Sequence, residues 1–201
     1  MIEIDIHSKS FGDQHVLGSV SLTIPAGECV AVLGPSGIGK TTLLRIAAGL
    51  DTEFDGHVTR PERLAMVFQE PTLLPWRTAA DNLKLIVGLT DDDADAALKR
   101  VGLDGKGGHL PDQLSLGQRR RLALARAFAA QPDFLVMDEP FASLDKALAA
   151  EMIALTRDLL KGARIATLLV THSESEAEAL SDRTLHLHGR PAVLTDAQAA
   201  D

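Results

Sequence analysis

The sequence has no tyrosine, one tryptophan and six phenylalanines, so only 3% of it is aromatic. Hydrophobic residues still reach 45%. That content excludes a disordered chain and predicts a core of Leu, Ile, Val and Ala. The one cysteine, Cys29, excludes an internal disulfide and suits a reducing compartment. It sits in the apolar run Cys29-Val30-Ala31-Val32-Leu33 and reads as an inert buried thiol. Basic residues are outnumbered, 20 Lys and Arg against 28 Asp and Glu, for a net charge of −8. This balance argues against nucleic acid as a partner and against direct adsorption to anionic lipid. No run approaches the ~20 apolar residues of a membrane span. The start, Met1-Ile2-Glu3-Ile4-Asp5, carries acids where a signal peptide is basic. These features predict a soluble chain, whose membrane location would come through a partner. With no repeat, low-complexity tract or linker, the 201 residues read as one domain.

Hydrophobic periodicity supplies the elements. Ile2, Ile4 and Ile6 alternate with Glu3, Asp5 and His7, a half-buried strand. Gly12-Asp13 marks a turn and 16–24 a returning strand, so the chain opens antiparallel. Buried strands follow at 29–33, 64–68, 134–137 and 165–170, with weaker ones at 184–187 and 192–194. Helices are expected at 41–48, 78–87, 92–101, 116–130 and 146–160. Ser173 and Glu176 have capping-box spacing at the start of a short helix, and the tail Ala197 to Asp201 reads as frayed. Alternating buried strands and helices imply an α/β fold with a mostly parallel sheet. A helical subdomain at about 71–130 is inserted into it.

Two motifs carry chemistry. Gly34-Pro35-Ser36-Gly37-Ile38-Gly39-Lys40-Thr41 matches the phosphate-loop pattern between a buried strand and a helix. Its glycines allow successive N–H groups to point at phosphate oxygens, and the helix N-terminus adds positive potential. Lys40 brings a full charge to the β- and γ-phosphates, Thr41 a hydroxyl to Mg²⁺, and Thr42 a further phosphate contact. The second motif is Asp138-Glu139, closing an apolar strand where open α/β sheets bind ligands. Asp138 suits Mg²⁺ held through water, and Glu139 can take a proton from an attacking water.

Further elements narrow the class. Leu114-Ser115-Leu116-Gly117-Gln118, ahead of an Arg- and Ala-rich helix, resembles the signature loop of ATP-binding cassette (ABC) proteins. Gln69 resembles their Q-loop glutamine, Ser143-Leu144-Asp145 their D-loop, His172 their switch histidine and Phe11 their adenine-stacking aromatic. Order and spacing match from about Phe11 to Gly189. The resemblance implies a RecA-like P-loop NTPase core that binds and hydrolyses ATP with Mg²⁺. It also implies that Gln69 joins Thr41 and Asp138 at the metal. Glu139 would be the base, with His172 and Lys40 assisting. Two cassettes would pair head to tail, so that Ser115, Gly117 and Gln118 of one face the ATP of the other. Transmembrane permease subunits and a solute-binding protein complete such a system, with the cassette peripheral at the cytoplasmic face of the inner membrane.

Some residues carry two readings. Asp145 also suits a helix cap, and Phe11 suits hairpin core. The Arg119–Arg121 run reads as a solvated helix face with intersubunit contacts. Pro71-Thr72-Leu73-Leu74-Pro75-Trp76-Arg77-Thr78 either packs the helical subdomain or forms a groove for a helix of a membrane partner. This segment is similar to that of importers for nitrate, sulfonates and related solutes. One departure stands out: Leu116 occupies a position where the family usually has glycine. Two rivals remain, a cassette ATPase of translation or DNA repair and a non-hydrolysing regulatory subunit. The short interval from Gln69 to Ser115 and the intact Lys40, Glu139 and His172 argue against them.

Overall fold

The computed structural model describes residues 1–196, and every side chain within them except those of Ile86 and Val87. The expected fraying of Ala197 to Asp201 lies outside the described residues. The chain divides into two compact units. One comprises residues 1–66, 133–139 and 162 onward, and the other 67–132 and 140–161.

The first unit is built on a ten-stranded sheet. Strand β1 (Ile2–Phe11) alternates buried and exposed residues as its sequence demands, and pairs antiparallel with β2 (Gln14–Leu17), β3 (Val20–Ile24) and β5 (Asp55–Thr59). The expected single returning strand over 16–24 is thus two strands, broken at Gly18-Ser19. Gly18 donates there to the Ala192 carbonyl, where a Cβ would press on Val193 at 3.2 Å. β5 has no apolar alternation, and its sequence carries no strand signal; the edge of β1 recruits it.

The remaining strands are β4 (Cys29–Leu33), β6 (Leu64–Val67), β7 (Phe134–Asp138), β8 (Ala166–Thr171), β9 (Arg183–Gly189) and β10 (Ala192–Asp196). β4 lies between β8 and β9, parallel to both, and β7 is parallel to β8. β4 and β8 are buried at every position, as expected of strands covered on both faces. Helix α1 (Lys40–Ala47) packs on β7 and β8, and α6 (Glu174–Leu180) on β4 and β8. The core that joins α1 to the strands is aliphatic: Ile2, Ile4, Ile6, Val30, Val32, Leu43, Leu44, Val136, Leu168 and Val170, with Phe134 as its one fully buried aromatic. Each large side chain so buried contributes about 1.5–3 kcal/mol, so the scarcity of aromatics costs the unit little.

The second unit is helical: α2 (Ala79–Val87), α3 (Asp91–Arg100), α4 (Leu116–Ala129) and α5 (Lys146–Leu160). α4 packs against the other three and buries Leu122, Leu124, Ala125 and Phe128. Thr78 and Thr90 cap α2 and α3. The Arg119–Arg121 run is not a solvated face. Arg120 is buried and donates to the carbonyls of Pro140 (3.0 Å) and Ala142 (3.4 Å), while Arg121 donates to Val101 O (2.7 Å) and pairs with Glu151. Helical periodicity turns Arg120 inward beside Leu124, where backbone carbonyls satisfy it.

Cys29 is buried, and its thiol is pushed up to about 12 by burial and by the charges of Asp182 and Glu28. It should not react with Ellman's reagent in the folded protein at pH 8, and should react at once when denaturant is added. Prompt labelling of the folded chain would show that the strand opens or that the thiol is activated.

Candidate functional site

The phosphate-loop residues lie where β4 ends and α1 begins. Gly37 (φ 76°) and Gly39 (φ 116°) take left-handed backbone that L side chains avoid. Gly39 is constrained twice, since a Cβ there would sit 2.9 Å from Leu17 and 3.1 Å from Val16. Gly39 is also the N-cap of α1, and no side chain caps that helix. Its first N–H groups, on Lys40, Thr41 and Thr42, therefore face outward without intrahelical acceptors. This is the electrostatic condition for an anion site. Pro35, Ser36 and Gly37 are exposed on the rim, and Ile38 closes the loop by donating to Pro35 O at 3.3 Å.

Lys40 is buried at 4% exposure. Its ammonium donates to Gly34 O (2.8 Å) and Pro35 O (3.1 Å) and meets Glu139 Oε1 at 3.2 Å. The second oxygen of Glu139 lies 3.2 Å from His172 Nδ1. Strand register makes this chain possible: β4, β8 and β7 pair Leu33 with Thr171 and Asp138 with Val170, so their carboxyl ends align. Glu139 has φ 44°, a left-handed conformation costing an L residue about 1–2 kcal/mol. Its N–H donates to Val170 O at 2.8 Å, which holds the turn.

Asp138 Oδ1 lies 3.4 Å from Thr41 Oγ1. Burial raises the Asp138 carboxyl above its usual range despite the Thr41 hydroxyl and the Lys40 charge. A hydroxyl and a partly desolvated carboxylate are hard oxygen donors that fit Mg²⁺. His172 stands on a braced turn. Thr171 Oγ1 donates to Glu176 Oε2 (2.5 Å) and accepts from Ser173 N (3.1 Å), while Ser173 Oγ caps α6 through Glu176 N (3.4 Å). The capping box read at Ser173 and Glu176 is therefore half formed, because the Glu176 carboxyl turns to Thr171 instead. Sequence reasoning missed that role, since the spacing of a capping box masks it.

Gln69, Ser115, Gly117, Gln118 and Asp145 belong to the second unit. Gln69 is exposed. Ser115 caps α4: its Oγ accepts from Gln118 N (3.3 Å), and Gln118 Oε1 accepts from Ser115 N (3.0 Å). Two of the free N–H groups at this helix start are thus met internally, leaving the Ser115 hydroxyl proton, Leu116 N and Gly117 N outward. A Cβ at Gly117 would lie 2.9 Å from Leu148 Cδ1, the end of a side chain that would have to shift to admit it. The Leu116 side chain is exposed. Asp145 caps α5, accepting from Ala147 N and Leu148 N at 3.0 Å each. Ser143 before it has φ 63°.

The loop at Pro71 to Thr78 is pinned by a residue sequence reasoning missed. The buried Asn82 accepts from Leu74 N (2.8 Å) and donates to the carbonyls of Leu74, Arg77 and Thr78. An asparagine inside an apolar helical stretch was the available signal. Arg126 adds bonds to Thr72 O and Oγ1. Trp76 stays 70% exposed on this loop, so it is not core. Phe11, at the β1–β2 hairpin, is 53% exposed and is not hairpin core either.

Residues 17–142 match the family model described as ABC transporter. An aliphatic sulfonates import ATP-binding protein SsuB 1 of Pseudomonas aeruginosa is 44% identical over 199 residues, covering 91% of this chain and 80% of the relative. The SsuB of Granulibacter bethesdensis is 47% identical over 190 residues, covering 92% and 79%. Among solved structures, a dimeric ATP-binding cassette in a post-hydrolysis state with ADP and Pi superimposes with TM-score 0.82 at 26% identity over 98% of both chains. Another dimeric structure of that same bacterial ABC transporter cassette gives 0.78 at 28% identity over 92% of this chain and 94% of that one.

Burial holds the Glu176 carboxyl above its usual range. As pH rises through the window between its unfolded and folded values, the unfolded state releases the proton first, so stability falls. Glu176→Gln keeps an acceptor for Thr171 and removes that titration. Its melting temperature relative to wild type should be higher at pH 7 than at pH 4. A difference independent of pH would show that the carboxyl does not titrate in that window.

Proposed function

The chain belongs to the ABC transporter family as an ATP-binding subunit of import systems, and from that premise we propose how its residues divide the work. The carrying observation is the Lys40–Glu139–His172 chain at the aligned strand ends, beside an uncapped helix N-terminus. The N–H groups of the loop from Gly34 to Gly39 and of Lys40, Thr41 and Thr42 cradle the phosphates of ATP. Lys40, with its stem buried, presents a fixed charge to the β- and γ-phosphates. Thr41 and Asp138 would hold Mg²⁺; bound there, the ion would supply charge neutralisation on the phosphate oxygens. Glu139 orients a water and accepts its proton. His172, braced by Thr171 and Glu176, steadies Glu139 through Nδ1 and leaves Nε2 for the γ-phosphate or the water.

Two cassettes pair head to tail, with the partner's signature loop completing each site through the Ser115 hydroxyl and Gly117 N–H, and Gln118 holding Ser115 in place. Phe11 stacks on the base, and Asp145 shapes the loop that crosses to the partner. The dimeric cassettes among the solved structures support this assembly. The relatives are named for aliphatic sulfonate import, which supports a small sulfonate or related solute as cargo. A permease pair carries it across the membrane and a solute-binding protein delivers it. No helix among the described residues is long and apolar enough to cross a membrane, so the permease holds this subunit at the cytoplasmic face. Trp76 is the contact: Asn82 and Arg126 rigidify its loop while its ring stays exposed, as a preformed apolar anchor requires.

Glu139→Gln keeps the shape of the side chain and cannot take a proton at neutral pH. Hydrolysis should fall by about 10²–10⁴, while ATP binding by calorimetry survives. The variant should run as an ATP-bound dimer in gel filtration. Near-normal hydrolysis would remove Glu139 as the base and leave His172. Trp76→Ala should leave the circular dichroism of the isolated chain unchanged and release it from membranes that contain the permease. Undiminished membrane retention would place the contact elsewhere.

A further inference from the structure

Lys9 is a buried cation that the chemistry above does not use. It lies on β1, two residues before Phe11, and is 2% exposed. Its ammonium donates to Asp51 Oδ1 (2.8 Å) and Glu53 O (2.6 Å) and sits 4.5 Å from the centroid of the Phe11 ring. Asp51 is shaped for the task, since it also accepts from Glu53 N at 3.1 Å. Its carboxyl would be raised by burial, but the bonds from Lys9 and the Glu53 amide hold it below the usual range. A buried ammonium is costly unless every donor finds a partner, and here a carboxylate, a carbonyl and a ring face take all three.

The position of this cluster gives it a use. β1 and β2 pair Phe11 with Gln14, Ser10 with His15 and Lys9 with Leu17. Val16 and Leu17 of the same hairpin press on Gly39, the N-cap of α1. Asp51 lies just beyond the other end of that helix, which is eight residues long, about 12 Å. The hairpin is therefore tied at both ends of the helix that begins in the phosphate loop. Phe11 is thus held on the hairpin whose second strand meets that loop at Gly39, with one face on the Lys9 ammonium and more than half of the residue exposed.

We propose that the Lys9–Asp51 pair is a clamp that sets the Phe11 ring as the stacking platform for the nucleotide base, making Lys9 a positioning residue for base recognition. This rests on the ATP-binding reading above. Stacking uses the flat face that every base has, so the clamp separates nucleotides from bare polyphosphate and does not separate one base from another.

The test compares ADP with inorganic pyrophosphate by calorimetry on the full chain. Lys9→Met should weaken ADP about fivefold or more and leave pyrophosphate unchanged. Phe11→Ala should do the same, and adding Lys9→Met to it should cost nothing further. Should Lys9→Met fail to fold, Asp51→Asn removes the same tether, and the same two ligands are measured. Equal weakening of both ligands, unchanged ADP affinity, or a further loss in the Phe11→Ala background would overturn the clamp. A wild-type chain that bound neither ligand would overturn the ATP-binding reading and the clamp together. Wild-type binding of both, with no ring-dependent difference among the variants, overturns the clamp alone.

Discussion

The ammonium of Lys40 is the point on which the first unit is organised. It is almost fully buried, and its acceptors come from the loop itself and from the turn after β7. A buried charge of this kind is tolerated only where fixed dipoles and a counter-charge surround it. The sheet supplies both because β4, β8 and β7 are parallel and in register, so their carboxyl ends deliver the loop, His172 and Glu139 to one edge. Parallel strands need crossover helices, and those helices cover both sheet faces with aliphatic side chains. The aliphatic core is thus the support that keeps three polar groups from three distant parts of the chain within hydrogen-bond reach.

Helix ends show how the protein reserves positive potential. Of the six α-helices among the described residues, five begin with a side-chain cap: Thr78, Thr90, Ser115, Asp145 and Ser173. Only α1 begins at a glycine with no cap. Where a helix has a structural job, a hydroxyl or carboxylate takes up its free N–H groups. Where it must receive phosphate, those groups are left outward. α4 stands between these cases: its capping box satisfies part of its N-terminus and fixes Ser115, while Leu116 N and Gly117 N remain outward.

Strain is also placed rather than spread. Glu139 and Ser143, two of the three non-glycine residues with positive φ among the described residues, flank the segment that leads out of the acidic strand end. Such backbone persists where neighbouring bonds over-determine it. Val170 O holds the Glu139 amide, and Arg120 grips the carbonyls of Pro140 and Ala142. The buried Arg120 of α4 therefore has backbone partners in the segment that leads to Ser143, a role that a solvated charge run would not have.

Features that depend on neighbours along the chain were legible in residue order alone. The alternation of Ile2, Ile4 and Ile6, the apolar run from Cys29 to Leu33, the phosphate loop and the helix at 146–160 are all local patterns. Each follows from backbone geometry and short-range sterics. Contacts between residues far apart in the chain were not legible there, because they exist only once the chain has folded. The Lys9–Asp51 pair joins positions 42 apart, and Glu139 meets His172 across 33. β5 became a strand only because β1 offered an edge, and the Glu176 carboxyl left its expected cap because Thr171 came within 2.5 Å. Periodicity and caps record which way a residue faces. Which partner it meets there depends on how strands pair and stack, and that is settled only when the whole sheet has closed around its core.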